Sequence, residues 1–309
     1  MALRFVLLAI LTLNSVGLSG RAQNAPAIAT PFIADELIAR VGAPSRLAMK
    51  EFKKAGMQGV TPHILTAEER SKVEAALASL PALNKRVLEK KLHSLAFVDG
   101  IPGEGTGLTS PEAKTGLYDI TLRASIVDES LSTFLTTKER RVFVEDGSGT
   151  TVTITGTGTN ALTYVLLHES SHVADKGCGI TANPHGRFAE GIWVSLKEMT
   201  PSVAAIAPRT YFRGGSKLPA AEAEATYDAL SRTPFVSLYA TASEAEDFAE
   251  LVAWHEILKQ HQGNLVIEVT DARGKTLKQW DPLMFPGVQN RFANVDELLT
   301  SQSDCRHLL

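Results

Sequence analysis

Apolar residues follow helical spacing in some segments of the chain and strand-like spacing in others. Apolar positions three or four apart predict helices over residues 66–80, 82–92, 130–140, 160–176, 243–261 and 294–300. Short apolar runs predict a strand over residues 116–127 and hairpins over 142–155 and 265–280. Since these helices and strands do not alternate regularly, the pattern favours an α+β fold.

Polar residues and glycines at the ends of the apolar segments predict where helices begin and end. Thr66 and Glu69 have the spacing of a capping box, and Asn160 is a typical N-cap residue. Gly177 is the expected end of the helix that Asn160 starts. Proline and glycine are frequent between residues 178 and 237, where we predict only short mixed elements.

The first 22 residues have the features of a secretory signal peptide in the expected order. Arg4 supplies the positive charge, residues 5–13 are apolar with one exception, and small residues follow at the cleavage position. A buried N-terminal helix is the alternative. The sequence therefore predicts a secreted or periplasmic protein, in which residues 23–60 form an N-terminal arm that could belong to a propeptide.

Composition excludes some classes of partner. The chain has 309 residues, 44% of them hydrophobic and 21% charged, which suits a globular protein with a substantial core. Its 31 basic and 34 acidic residues give a net charge of −3, without the basic excess that nucleic-acid binding requires. After the signal peptide, the sequence predicts no membrane span. Cys178 and Cys305 either form one disulfide in an oxidising compartment or remain two thiols.

Two histidines and a glutamate on the helix predicted over residues 160–176 have the spacing of a zinc site. His168 and His172 lie four residues apart, so both imidazoles project from one face of the helix. Imidazole suits zinc, and Glu169 points about 100° around the helix, where it can act as general base on a water. The apolar residues 162–167 predict that the helix is buried. A chance match to this motif is the alternative.

A catalytic zinc site needs a third protein ligand. The metzincin pattern would place Gly and His where this chain has Asp175 and Cys178, which excludes that class. Glu246 and Glu250 lie one turn apart on the later helix, so Glu246 can bind the metal while Glu250 accepts a hydrogen bond from an imidazole. Alternatively, Glu246 only helps to cap its helix, because its spacing from Ser243 is that of a capping box.

The two motifs together resemble those of the gluzincin metallopeptidases. The pairing of His-Glu-x-x-His with a later Glu-x-Phe-Ala-Glu at residues 246–250 looks like the branch that contains anthrax lethal factor and the Pro-Pro endopeptidases. The resemblance implies a zincin-like fold with a small mixed sheet, an active-site helix and a second ligand-bearing helix. It also implies that Glu246 binds zinc, that Glu250 supports the site, and that Tyr239 stabilises the oxyanion. For Tyr239, an ordinary half-buried aromatic residue is the alternative.

The spacing of the two motifs departs from that family. The 73 residues between His172 and Glu246 are more than the resemblance leads us to expect. We therefore predict a catalytic domain over residues 61–309 with an insertion within 178–237. Gluzincins bind peptide by adding it to the edge of a sheet, and residues 116–127 are either that edge strand or an internal strand.

The remaining histidines predict no second metal site. His255 and His261 are six residues apart, which separates them by about 240° around a helix, so they cannot share an ion. His185 lies in a loop with Pro and Gly, and we expect it at the surface or at the rim of the site.

The sequence thus predicts a secreted zinc-dependent peptidase with one Zn²⁺ ion and a peptide or protein substrate. In this interpretation His168, His172 and Glu246 hold the ion, Glu169 is the general base, and Tyr239 donates to the oxyanion. Two other classes stay open. One is a binding module that keeps the zinc helix without turnover, and the other is an amidase that acts on cell-wall peptides.

Overall fold

The computed structural model describes the backbone of residues 34–181 and 186–300. Residues 1–22, His185 and Cys305 lie outside these ranges. The signal peptide, the loop position of His185 and the disulfide therefore stay predictions.

Helices and short strands make up the described part of the chain. The α-helices are α1 (Ala34–Ile38), α2 (Arg46–Lys54), α3 (Ala67–Ala78), α4 (Ala82–Lys91), α5 (Leu131–Glu139), α6 (Ala161–Cys178), α7 (Pro201–Ile206), α8 (Ala223–Leu230), α9 (Glu244–His261) and α10 (Pro286–Thr300). The strands are β1 (Val41–Gly42), β2 (Gln58–His63), β3 (Leu92–Ile101), β4 (Gly107–Pro111), β5 (Tyr118–Arg123), β6 (Phe143–Val144), β7 (Thr151–Gly156), β8 (Trp193–Ser195), β9 (Glu198–Met199), β10 (Leu218–Pro219), β11 (Leu265–Thr270) and β12 (Thr276–Trp280). This combination of helices with small, separate sheets confirms the α+β class. Within the two described ranges, none of the helices is both long and apolar enough to cross a membrane.

All the predicted helices except the last form within two residues of their predicted bounds. At the start of α3, Thr66 Oγ1 accepts from Glu69 N at 3.2 Å and Glu69 Oε2 accepts from Thr66 N at 2.7 Å, so the capping box is confirmed. The predicted end of α6 at Gly177 is wrong by two residues, because the left-handed residue that ends the helix is Gly179, with a φ of 68°. α10 starts at Pro286, earlier than predicted, since proline fits the first turn of a helix.

The main sheet has five strands, and its order decides which strand is the edge. The order is β1-β3-β5-β4, and β2 pairs antiparallel with β3. β5 lies parallel to β3 and antiparallel to β4. The interpretation of residues 116–127 as the edge strand is therefore wrong and the internal-strand alternative is correct. Among the described residues, β4 is the edge strand beside β5, and β1 and β2 lie at the opposite edge beside β3. The Gly-containing sequence of β4 shows no apolar alternation.

A second sheet of three strands has the order β12-β11-β7. β11 and β12 form the predicted hairpin. The hairpin predicted over residues 142–155 is wrong, because β7 pairs with β11 and β6 pairs with β10. In this register Val152 lies opposite Val269, and Ile154 opposite Ile267, with all four side chains buried. Burial of apolar pairs between distant strands therefore outweighs the local turn signal.

Residues 34–63 are integrated into the main sheet. β1 pairs parallel with β3 and β2 pairs antiparallel with it. Residue 61, the predicted start of the catalytic domain, lies inside β2, and residues 34–60 belong to the same compact unit as the rest of the described chain. A propeptide within residues 23–60 stays a prediction.

α6 lies between the main sheet and α9. Its side chains from Ala161 to Ser171 are all buried, and α4, β4 and α9 pack against it. Asn84 of α4 donates from Nδ2 to the hydroxyls of Ser170 and Ser171, at 2.8 and 3.2 Å. These bonds resist rotation of α6 about its axis, and they therefore help to fix the direction in which its histidines point.

Candidate metal centre

Two histidines of α6 face the first turn of α9. Asn160 Oδ1 starts α6 by accepting a hydrogen bond from Thr163 N at 2.9 Å. The helix then places His168 and His172 one turn apart, with side-chain exposures of 8% and 12%. Their ring centroids are 4.8 Å apart, so both imidazoles reach the same small volume.

Glu246 lies opposite the two histidines. Ser243 Oγ accepts from Glu246 N at 3.2 Å, so the backbone of Glu246 takes part in the helix cap, as one of the two interpretations expects. Its carboxylate reaches elsewhere: Glu246 Oε2 lies 3.1 Å from His168 Nε2 and 3.4 Å from His172 Nε2. The cap and the metal-ligand position are compatible, because the backbone serves one and the side chain the other.

The three side chains fit a tetrahedral metal ion. His168 Nε2, His172 Nε2 and Glu246 Oε2 form a triangle with sides of 3.1, 3.2 and 3.4 Å. Ligands about 2.0–2.1 Å from zinc, at tetrahedral angles, lie about 3.3 Å from one another. Over residues 34–181 and 186–300, no other group of three His, Cys, Asp or Glu side chains converges in this way. We refer to these three atoms as the ligand triangle.

Glu250 lies behind His168, one turn after Glu246. Its Oε1 is 3.2 Å from His168 Nδ1, at an angle outside hydrogen-bond geometry. The same oxygen accepts from the Tyr164 hydroxyl and, at 3.1 Å, from Lys138 Nζ. A further hydroxyl, Ser237 Oγ, donates to Oε2 at 2.7 Å. Because Glu250 is only 1% exposed, these side chains take the place of water around it.

The charges around His168 favour a cation. Burial lowers the pKa of His168, but the carboxylates of Glu246 and Glu250 outweigh this effect and raise the pKa to about 10. The pKa of Glu246 lies well below its usual range, because hydrogen bonds from His168 and His172 outweigh the opposing effect of burial. The pKa of Glu250 is also lowered against burial, by the Lys138 ammonium and then by His168. Two ionised carboxylates therefore face one imidazole, and the site attracts either a proton or a metal ion.

Glu169 points towards β4 and not into the ligand triangle. Thr109 Oγ1 donates to Glu169 Oε2 at 2.7 Å and to its backbone carbonyl at 3.2 Å. Gly107 lies against the same carboxylate, and a Cβ at this glycine would be 2.4 Å from Glu169 Oε1. The edge strand thus holds a carboxylate beside the histidines without adding it to the ligands.

Tyr239 lies next to His168 at the start of a 3₁₀ turn, Tyr239–Ala242. Its ring centroid is 5.9 Å from that of His168 and 5.1 Å from that of Phe212. Lys138 Nζ lies 3.7 Å from the ring centroid. Burial, and then the neighbouring carboxylates, Glu246 first, raise the pKa of Tyr239 well above its usual value. The phenol therefore keeps its proton and can donate a hydrogen bond.

A cavity of about 260 Å³ opens beside His168 and Glu169. Tyr211 and Phe212, which also line it, belong to the segment predicted as an insertion, residues 178–237. The remaining wall contains both apolar and charged side chains, among them Glu104, Phe134, Lys138, Arg141, Tyr164, Val165 and Tyr239. The segment between the two motifs therefore contributes to the surface that a substrate would meet.

The structure brings the predicted site residues together and places His255 away from them. The six that meet are His168, Glu169, His172, Tyr239, Glu246 and Glu250. His255 is buried further along α9, where its Nδ1 lies 3.0 Å from Glu256 Oε1 and its Nε2 3.4 Å from Asp296 Oδ1. In the described residues it belongs to no ligand group with His261.

Three side chains of the centre, Tyr164, Lys138 and Thr109, are not among the site residues predicted from the sequence. Tyr164 precedes His168 by four residues, so its place on the same helix face could have indicated it. Lys138 and Thr109 give no such signal, because their carboxylate partners are 112 and 60 positions away along the chain. Only the fold brings these residues to the site.

Comparisons with family models, with curated proteins and with solved structures find no match to this chain. The function is therefore inferred from the chemistry and geometry of the centre.

Proposed function

We propose that the chain is a secreted zinc-dependent peptidase with a zincin-like fold, and that His168, His172 and Glu246 hold its single Zn²⁺ ion. The main support is the ligand triangle, whose sides match a tetrahedral zinc site. Three protein ligands leave a fourth position for water or substrate, which distinguishes catalytic from structural zinc sites. Glu169, beside the triangle but outside it, supplies the carboxylate that hydrolysis needs.

The chain's own residues have separate tasks in this reaction. Zinc, when bound, supplies a Lewis acid that polarises the scissile carbonyl and acidifies a water. Glu169 takes the proton of the attacking water and passes it to the leaving amine as the C–N bond breaks. Tyr239 donates a hydrogen bond to the carbonyl oxygen as negative charge develops there. Glu250 holds a negative charge 3.2 Å from His168 Nδ1, which favours the proton on that nitrogen and leaves Nε2 free to face the triangle.

The open edge of β4 supports an extended peptide as the substrate. In the antiparallel pair of β4 and β5, Thr106 O accepts from Arg123 N at 2.9 Å. Because hydrogen bonding alternates along such a pair, the backbone groups of Gly107 and Thr109 point to the open edge. Both residues also contact Glu169. A peptide added as a strand along β4 would therefore pass directly beside the base.

A Glu169→Gln variant tests the proposal, since it keeps the shape of the side chain and removes its ability to take a proton. We expect the wild-type chain to cleave members of a peptide library and a chelator to abolish cleavage. E169Q should keep its zinc and lose hydrolysis by on the order of 10²- to 10⁴-fold. The same change at Glu256, in the buried His255-Glu256 pair away from the ligand triangle, is the matched control and should leave metal and activity unchanged.

Three outcomes would contradict the proposal. Normal cleavage by E169Q would exclude Glu169 as the base. Zinc in the wild-type chain without cleavage of any peptide would favour a binding module. Cleavage of peptidoglycan peptides alone would favour the amidase.

A further inference from the structure

Arg141 is a half-buried cation on the wall of the cavity beside the ligand triangle. It belongs to the 3₁₀ turn Arg140–Val142 that follows α5. Its guanidinium donates to two backbone carbonyl oxygens, that of Glu104 and, at 3.3 Å, that of Gly103. Both acceptors are neutral, and in the described part of the chain no carboxylate forms an ion pair with Arg141.

Two other charged groups at this end of the cavity, Lys138 and Glu104, already have hydrogen-bond partners. Lys138 Nζ lies 3.1 Å from Glu250 Oε1 and also covers the ring of Tyr239. The Glu104 carboxylate accepts a hydrogen bond from the Tyr211 hydroxyl at 2.7 Å. Among the described side chains that line this wall, Arg141 is therefore the cation that has no carboxylate at ion-pair distance, and the nearby Glu104 carboxylate acts on it only over a longer distance.

The surroundings of Arg141 make an incoming anion favourable. Burial lowers the pKa of Arg141, yet a guanidinium stays protonated in proteins. Three apolar side chains, Phe134, Val165 and Phe212, also line this cavity. A carboxylate that enters the cavity can accept two parallel N–H bonds from one guanidinium. Partial removal from water makes such a pair stronger than the same pair in bulk solvent.

We propose that Arg141 binds a carboxylate of the substrate next to the scissile bond. This inference rests on the proposed peptidase function, because it places the substrate in the cavity that His168 and Glu169 line. The carboxylate has two possible sources, an acidic side chain beside the scissile bond or the C-terminus of a short peptide. In either case an uncharged amide of the same shape leaves Arg141 without its anionic partner.

Matched peptide pairs test for the charge itself. In the first pair, both residues that flank the scissile bond are Glu in one peptide and Gln in the other. In the second pair, the C-terminus is a carboxylate in one peptide and an amide in the other. We expect wild-type kcat/KM to favour the anionic member of one pair by about 10- to 100-fold, the effect of one charge-assisted hydrogen bond. The pair that shows the preference identifies the source.

Variants of Arg141 test whether this residue causes the preference. Arg141→Gln should bring the ratio of the two kcat/KM values within a pair close to one. Arg141→Lys should keep part of the preference, because lysine retains the charge without the planar guanidinium. Arg140→Gln is the matched control: Arg140 is exposed, donates to Val152 O at 3.1 Å, and should leave the ratio unchanged. If Arg141 only holds residues 103–104 in place, its loss would lower kcat/KM equally for both peptides of a pair and would leave their ratio unchanged.

Wild-type ratios near one in both pairs, or an unchanged ratio in R141Q, would overturn the inference. If R141Q does not fold, the wild-type and R141K ratios decide the question. Failure of the proposed function has a different signature, because the wild-type chain then cleaves neither member of either pair.

Discussion

Gly107→Ala should separate the stability of the protein from its activity. The new Cβ would lie 2.4 Å from Glu169 Oε1, 2.9 Å from Cδ and 3.0 Å from Cγ. Nonbonded atoms need well over 3 Å, so the carboxylate must retreat by roughly 1 Å. The atoms that must move are at the end of a flexible side chain, and Gly107 does not have a positive φ. We therefore expect the free energy of unfolding to change by less than about 1 kcal/mol.

The same displacement should lower the rate of hydrolysis strongly. A misplacement of about 1 Å at a catalytic group costs on the order of 10²-fold in rate, which is about 2.7 kcal/mol in activation free energy. The assay is kcat for the best library peptide, with zinc content and urea denaturation measured on the same samples. Gly105→Ala is the control, since its Cβ would approach only Ala55 Cβ at 3.1 Å and the Phe52 ring at 3.7 Å. A G107A variant with wild-type kcat would refute the placement of Glu169 as the base.

Two further predictions concern the ionisable side chains at the end of α5, Lys138 and Glu139. Lys138→Met removes the ammonium beside Glu250 and Tyr239. Because Glu250 supports the ligand His168, zinc affinity or kcat should fall by about 10- to 100-fold. Chelator competition measures the affinity and steady-state kinetics measure kcat, and unchanged values of both would exclude a supporting role for Lys138. Glu139 is buried against the Tyr227 hydroxyl, and burial raises its pKa to about 7. Since this carboxyl is protonated more readily in the folded state, its stabilising contribution is complete below about pH 4.5 and is lost as the pH rises through about 7. Between about pH 5 and 8, the free energy of unfolding of Glu139→Gln should therefore fall less with rising pH than that of wild type, by up to about 3 kcal/mol. Urea denaturation measures this, and parallel pH profiles of the two proteins would contradict it.

Local signals predicted the helices and one half of the candidate centre. The capping box at Thr66 and the N-cap at Asn160 depend on hydrogen bonds between residues three positions apart. The four-residue spacing of His168 and His172 likewise requires only that the segment is helical. Such features are readable from sequence because all the interacting groups lie within one or two turns.

Non-local pairing could not be predicted in the same way. β4 is a strand because it pairs with β5, and Gly107 stands there because a larger residue would meet the Glu169 carboxylate. Neither cause leaves a periodic trace in the segment itself. The predicted hairpin over residues 142–155 failed for a related reason, since β7 buries its apolar side chains against a strand more than 100 positions away. The contact of Lys138 with Glu250 belongs to the same class.

Zinc affinity, measured for the purified chain and for its Glu246→Ala variant, decides whether these residues form a metal centre. The Glu246 side chain is 23% exposed, so its truncation should leave the fold intact, which circular dichroism can check. We predict about one zinc per wild-type chain, and in E246A a loss of affinity large enough for a weak chelator to remove the ion. Undiminished zinc affinity in a folded E246A variant would contradict the assignment of the third ligand, and a wild-type chain that binds no zinc would contradict the metal centre itself.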